Sequence, residues 1–205
     1  FRHNSADPAS LSADGVIAFH EDAQGTLWVA TYGGGLNAFD PTTNSFARYR
    51  HDLADPTSLS NDRVTSVIAA ADGKLWVGTD GGGLNRMAPA SEGVFQHYRH
   101  DTADPLSLGS DRIRGLLSNQ DGTLWIGTHE DGLELLDPES GVIGRYRHDP
   151  SRTSSLSSDH RIRDIARDSR GRLWIATDGG LNVKLPGDDA FRAFRTDPSA
   201  PMSHS

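Results

Sequence analysis

A chain of 205 residues with 22 glycines, 10 prolines and only 35% hydrophobic residues calls for many short strands and turns rather than a few long helices. Its formal charge of −8, with 20 lysines and arginines scattered among acids, argues against nucleic acid as a partner because no basic stripe forms. The absence of cysteine excludes disulfides and thiol chemistry, and no apolar run approaches the ~18 residues of a membrane span, so no membrane contact by this segment is expected.

The chain opens on Phe1-Arg2-His3-Asn4, which matches the later Tyr49-Arg50-His51-Asp52 and is expected to be a spare outer strand, residues 1–4. The first unit then runs through an apolar stretch with Val16 and Phe19, a turn ending at Gly25, the pentad LWVAT (Leu27 to Thr31), and a glycine cluster, Gly33 to Gly35. Leu36, Pro41 and an aromatic stretch, Phe46 to Tyr49, complete it. The same order recurs three times. Trp28, Trp76, Trp125 and Trp174 lie 48, 49 and 49 residues apart, in the pentads LWVAT, LWVGT, LWIGT and LWIAT. Asp72-Gly73 and Asp121-Gly122 are hairpin turn pairs, since such pairs supply the positive φ a tight turn needs.

Each unit therefore reads as strands a, b, c and d of an antiparallel meander, with no sustained helical period. The expected fold is all-β: four consecutive four-stranded propeller blades over about 11–50, 59–99, 108–147 and 156–195, with a connector tail at 196–205. A sheet of this kind is stable only when neighbours cover its faces. The tryptophans are read as that packing layer. Four blades constitute a fragment of a larger propeller, or a small ring in which residues 1–4 join an edge strand, or a ring of two paired chains; exposed blade edges make a homodimer an expected outcome.

The segments LWVGTDGGGLNRMAP (Leu75 to Pro89) and YRHDxADPxSLSxDRV (Tyr49 to Val64), with their counterparts in the other units, resemble the two-component-regulator propeller repeat. That repeat occurs in periplasmic sensor regions of hybrid histidine kinases and of some diguanylate cyclases. The resemblance implies a seven-bladed propeller, often two in tandem, followed by an immunoglobulin-like domain, a membrane span and a cytoplasmic output domain. It also implies a periplasmic location, with any export signal or anchor outside this segment.

Repeated positions report the scaffold, and departing ones point to a site. After the pentad threonine stand Tyr32, Asp80, His129 and Asp178 in turn, and the third unit breaks its glycine cluster with Glu130 and Asp131. At the start of strand a stand Gly15, Arg63, Arg112 and Arg161, followed two positions on by Ile17, Thr65, Arg114 and Arg163. Guanidinium forks suit carboxylates, phosphates or sugar hydroxyls, but equally suit ion pairs with the connector acids Asp62, Asp111 or Asp159. The candidate ligand-binding residues at the rim and channel mouth are Tyr32, Asp80, His129, Glu130, Asp178, Arg63, Arg112, Arg114, Arg161 and Arg163. A mouth lined by Arg112, Arg163, His129 and Asp80 would mark a sensor, and a flat apolar rim a protein scaffold.

His51, His100 and His148 recur once per unit and so spread around the ring rather than gathering on an ion; neither a metal nor another cofactor is expected. There is no GxSxG elbow and no unit-specific Ser, His and Asp trio, so no catalytic residue is assigned. The leading reading is a non-catalytic, ligand-sensing segment of a bacterial signalling receptor, its partner a small molecule, saccharide or anionic, or a protein. The rivals are an interaction scaffold and a lyase or hydrolase built around His129.

Overall fold

In the computed structural model, residues 1–88, 91–158 and 161–195 are described. They form four sheets, each a meander of four antiparallel strands in chain order. Blade 1 comprises β1 (Val16–Glu21), β2 (Leu27–Thr31), β3 (Gly35–Asp40) and β4 (Ser45–Tyr49). Blade 2 comprises β5 (Val64–Ala69), β6 (Leu75–Thr79), β7 (Leu84–Met87) and β8 (Phe95–Tyr98). Blade 3 comprises β9 (Ile113–Ser118), β10 (Leu124–Thr128), β11 (Leu133–Asp137) and β12 (Gly141–Tyr146). Blade 4 comprises β13 (Ile162–Arg167), β14 (Leu173–Thr177), β15 (Gly180–Lys184) and β16 (Phe191–Phe194). No helix among the described residues is long and apolar enough to cross a membrane.

Local chemistry explains the hairpins. In the first a–b turn the Asp22 carboxylate accepts the backbone N–H groups of Gln24 and Thr26, and in the last Asp168 accepts those of Arg170 and Arg172; such Asx turns fix the reversal before the ladder forms. The b–c loops bring the chain so close to strand d that a Cβ at Gly83, where φ is +78°, would overlap the carbonyl oxygen of Tyr98.

Packing runs across blades rather than within them. Trp28 and Leu36 of blade 1 sit against Leu59, Val64, Val77 and Phe95 of blade 2. Trp76 and Leu84 sit against Ile113, Leu116 and Ile126 of blade 3, and Trp125 and Leu133 against Ile162, Ile165 and Ile175 of blade 4. The connector leucines Leu59, Leu108 and Leu156 are fully buried and belong to these same three cores. β1, β5, β9 and β13 succeed one another on the inside of the curve.

The arc is open at both ends. Phe19 of blade 1 is 73% exposed and Phe194 of blade 4 is 55% exposed, so the tight four-blade ring does not form. Residues 1–4 do not join an edge strand of blade 4. They lie against blade 1, where His3 makes one parallel bridge to Leu11 and Phe1 packs on Phe39 and Phe46. The tail at 196–205 lies outside the described residues.

Candidate functional site

The strand a ladders carry the same irregularity in every blade. Pairing passes from Val16 to Ala18, from Val64 to Ser66, from Ile113 to Gly115 and from Ile162 to Asp164, each time skipping one residue. A bulge of this kind leaves its extra residue unpaired and re-aims its side chain. The skipped residues are Ile17, Thr65, Arg114 and Arg163. Together with Arg161 they line a hollow of about 310 Å³ on the inside of the curve. Grooves of about 290, 430 and 780 Å³ lie over the a–b turns, one at each blade junction, with Trp28, Trp76 or Trp125 in its wall. They follow from the outward splay of the blades.

The rim residues are tied to the strand a arginines of the following blade. Tyr32 makes an isolated antiparallel bridge to Arg63, whose guanidinium lies 5.6 Å from the tyrosine ring centre. Asp80 bridges Arg112 in the same way and accepts its Nε–H at 3.0 Å. His129 accepts the backbone N–H of Arg161 at 2.6 Å through its carbonyl, and the Arg161 side chain donates to His129 Nε2 at 3.1 Å. Arg161 holds a left-handed φ of +47°, a conformation that costs a non-glycine residue of order 1–3 kcal/mol and needs such bracing.

This arrangement corrects three expectations. The arginines do not pair with the connector acids: Asp62 and Asp111 instead accept the backbone N–H groups of His51 and His100, and Asp159 lies outside the described residues. Tyr32, Asp80, His129 and Asp178 meet in two groups rather than at one point: Tyr32 donates to Asp80, while Arg161 lies 3.1 Å from His129 and 4.0 Å from Asp178, to which Arg163 donates at 2.6 Å. The hollow is walled by Arg114, Arg161 and Arg163 with Ile17 and Thr65, whereas Arg112, His129 and Asp80 do not line it and the exposed Glu130 pairs with Arg112 at 3.3 Å.

Electrostatics follow from these contacts. Burial works to raise the Asp80 carboxyl, but hydrogen bonds from Arg112 and Tyr32 and the charge of Arg114 hold it below its usual range. Burial and the charge of Arg112 hold His129 below the ordinary imidazole value. The neutral ring accepts from Arg161 at Nε2 and therefore carries its proton on Nδ1, which faces Glu130 Oε1 at 3.2 Å. Among the ten candidate residues five guanidiniums face three carboxylates, a net positive mouth on a chain of formal charge −8. Arg114 Nε is buried and has no acceptor among the described residues. His51, His100 and His148 each direct Nδ1 to a connector leucine carbonyl, and no group of three metal-ligating side chains occurs among the described residues.

One cluster beside the rim escaped sequence reasoning. In blades 1, 2 and 4 a buried asparagine, Asn37, Asn85 or Asn182, accepts the N–H of a connector serine. Blade 3 has Glu134 there, and the serine is Gly109, whose missing Cβ leaves the space that the Asp131 carboxylate fills. Glu134 accepts from Gly109 N and Arg145 Nε, each at 2.9 Å, while Glu134 Oε2 and Asp131 Oδ2 are buried without partners. The signal was available as Leu-Asn, Leu-Asn, Leu-Glu, Leu-Asn after the four glycine clusters.

Burial pushes the Glu134 carboxyl above its ordinary value of 4.5 despite the opposing pull of Arg145. A carboxyl that holds its proton more tightly folded than unfolded stabilises the fold below its unfolded pKa, and that contribution is lost as pH rises through the folded one. Glu134→Gln is therefore expected to remove a decline in stability on raising the pH. Urea midpoints of both proteins at about pH 5 and about pH 8 measure it; an identical decline in the variant would show that Glu134 is not its source.

The four pentads and their flanks, residues 10–33, 58–81, 107–130 and 155–179, match the model of the two component regulator propeller. No curated protein matches the chain significantly. Among solved structures, the chain is similar to a protein described as the extracellular domain of the hybrid two component system BT3049 from B. thetaiotaomicron, with 23% identity and a TM-score of 0.71 over 89% of this chain and 23% of that one. The extracellular domain of the one component system BT4673 from the same organism gives 24% identity and a TM-score of 0.70 over 87% and 25%. Virginiamycin B lyase from Staphylococcus aureus gives 14% and 0.61 over 90% and 57%. At these identities the likeness is one of fold, and the chain spans about a quarter of the length of the first two. With a matching segment in each of its four blades, the chain belongs to the two-component regulator propeller family.

Proposed function

We propose that this chain is a ligand-sensing propeller segment from the extracytoplasmic part of a bacterial signalling receptor, without chemistry of its own, and that it takes an anionic ligand such as an acidic saccharide. The observation that carries the reading is the hollow where bulges in β9 and β13 turn Arg114 and Arg163 beside Arg161. Guanidiniums bind carboxylates with paired, charge-assisted hydrogen bonds; Arg114 gives one N–H to Asp80 at 3.2 Å and Arg163 one to Asp178 at 2.6 Å, out of the five N–H groups each guanidinium carries. Thr65 and Ile17 complete the wall with one hydroxyl-bearing and one apolar side chain.

The rival readings are weaker on the same residues. A rim of Asp, Glu, His and Arg is unlike the apolar surface a protein scaffold would offer. An enzyme using His129 as base would need Nε2 free, and Arg161 donates to it. Ligand binding here would act on the contacts between β9 and β13, and so on how blades 3 and 4 meet.

Calorimetric titration with oligogalacturonate and with its neutral methyl ester tests the proposal. Oligogalacturonate is expected to bind and the ester not, and Arg114→Ala with Arg163→Ala is expected to weaken binding by about a hundredfold, corresponding to the loss of two charge-assisted contacts. Equal affinity for acid and ester, or no effect of the double substitution, would refute it.

A further inference from the structure

Blade 4 departs from the repeat on the face it turns towards blade 3. Residues directly opposite one another in a ladder share a face of the sheet, so each blade carries a row across its strands a, b and c beside the a–b turn. In blade 2 the row is Ala69, Leu75 and Met87, and in blade 3 it is Ser118, Leu124 and Leu136, none of them charged. In blade 4 it is Arg167, Leu173 and Lys184. Met87 and Leu136 belong to the cores between blades, and Lys184 stands in their place. Arg167 reaches across the junction and donates to Asn119 Oδ1 of blade 3, whereas the Lys184 ammonium has no partner among the described residues.

The opposite wall, from blade 3, departs towards the apolar. The row through its tryptophan is Leu117, Trp125 and Leu135; in blade 2 it is Ile68, Trp76 and Arg86, whose guanidinium lies 5.6 Å from the indole ring centre. Ile143 of β12 adds a side chain that is 54% exposed. The indole is also left with a donor. In blades 1 and 4 the Nε1–H is held by the turn carboxylates of Asp22 and Asp168, but blade 3 has Asn119 at that position, and its oxygen is taken by Arg167. Trp125 is 6% exposed, and its Nε1–H has no acceptor among the described residues.

These two walls bound the groove of about 780 Å³ at the junction of blades 3 and 4, a size within the ~300–1,000 Å³ of small-molecule sites. Asp121 is the carboxylate in its lining, and it accepts both the backbone N–H and the hydroxyl of Thr123. Two cations against one carboxylate leave the polar side of the groove positive, and the facing side is aliphatic and aromatic. We propose that this groove is a second binding site, separate from the axial hollow, for an amphiphilic carboxylate. The apolar body lies over Leu117, Trp125, Leu135 and Ile143, and the carboxylate is held by Lys184 and Arg167, with the indole N–H as a further donor. Both walls belong to an internal joint of the array.

Octanoate, octan-1-ol and acetate separate the two halves of the site. In isotope-labelled protein, octanoate is expected to shift one of the four indole N–H resonances, the one that Trp125→Phe removes, and to leave those of Trp28 and Trp174 in place. Acetate and octan-1-ol are each expected to bind at least about tenfold more weakly, since each lacks one half of the ligand. Lys184→Met, which installs the blade 2 residue, is expected to weaken octanoate about tenfold, the loss of one charge-assisted contact. Ile143→Asp is expected to weaken it by a similar factor, whereas Arg114→Ala with Arg163→Ala leaves it unchanged. The undisturbed resonances of Trp28 and Trp174 establish that each variant remains folded. Absence of any shift at millimolar octanoate, a shift confined to another indole, equal affinity for octan-1-ol, or undiminished binding by Lys184→Met overturns the proposal.

Discussion

Trp76→Ala is expected to be among the most damaging substitutions in the chain, costing about 3–5 kcal/mol. The indole is 2% exposed and fills the joint between blades 2 and 3, where Leu84, Leu108, Ile113 and Leu116 surround it. Truncation removes that burial and leaves a void that the β-ladders on either side are too rigid to collapse. Trp174→Ala, at the equivalent position on the free face of blade 4, is expected to cost about 1 kcal/mol, because that ring is already partly in water. Urea unfolding followed by circular dichroism compares them. The pentads are nearly identical, so the difference isolates the contribution of the neighbouring blade, and equal losses would contradict the view that blades stabilise one another.

Gly83→Ala is expected to cost upwards of about 2 kcal/mol for a single methyl group. The added Cβ meets the Tyr98 carbonyl oxygen, a backbone atom that moves only with β8, and the φ of +78° is itself unfavourable to an L side chain. Gly122→Ala is the control. It has a similar φ of +86°, but it lies in an exposed hairpin turn where an added Cβ meets nothing within 4 Å, so its loss is expected to be about 1 kcal/mol. Thermal midpoints of the two variants give the comparison; matching losses would mean that backbone conformation, and not the approach to strand d, accounts for the effect.

The fold was legible because the repeat states it four times. A tryptophan every 48 or 49 residues, with hairpin pairs such as Asp72-Gly73 and apolar runs of strand length, leaves little choice of architecture. The candidate site was legible only in part. Its residues were visible as departures from the repeat, and Arg114 and Arg163 do face the axial hollow. Their partners were not visible, because pairing of Tyr32 with Arg63, Asp80 with Arg112 and His129 with Arg161 crosses from one blade to the next. Adjacent Asp62-Arg63 and Asp111-Arg112 looked like natural ion pairs, yet successive residues of extended chain point apart, and the acids serve the backbone of the connector. The Glu134 exchange was missed for a different reason: it depends on Gly109 and Asp131 changing together, which only the folded contacts connect.

The bulge in every first strand also separates two tasks that most proteins must reconcile. Ile17, Arg114 and Arg163 occupy the skipped positions of their ladders, so their chemistry is not dictated by strand pairing. Variation there exchanges one recognition surface for another while the meander folds as before. Such a scaffold is free to diversify along its inner surface at little expense to its own architecture.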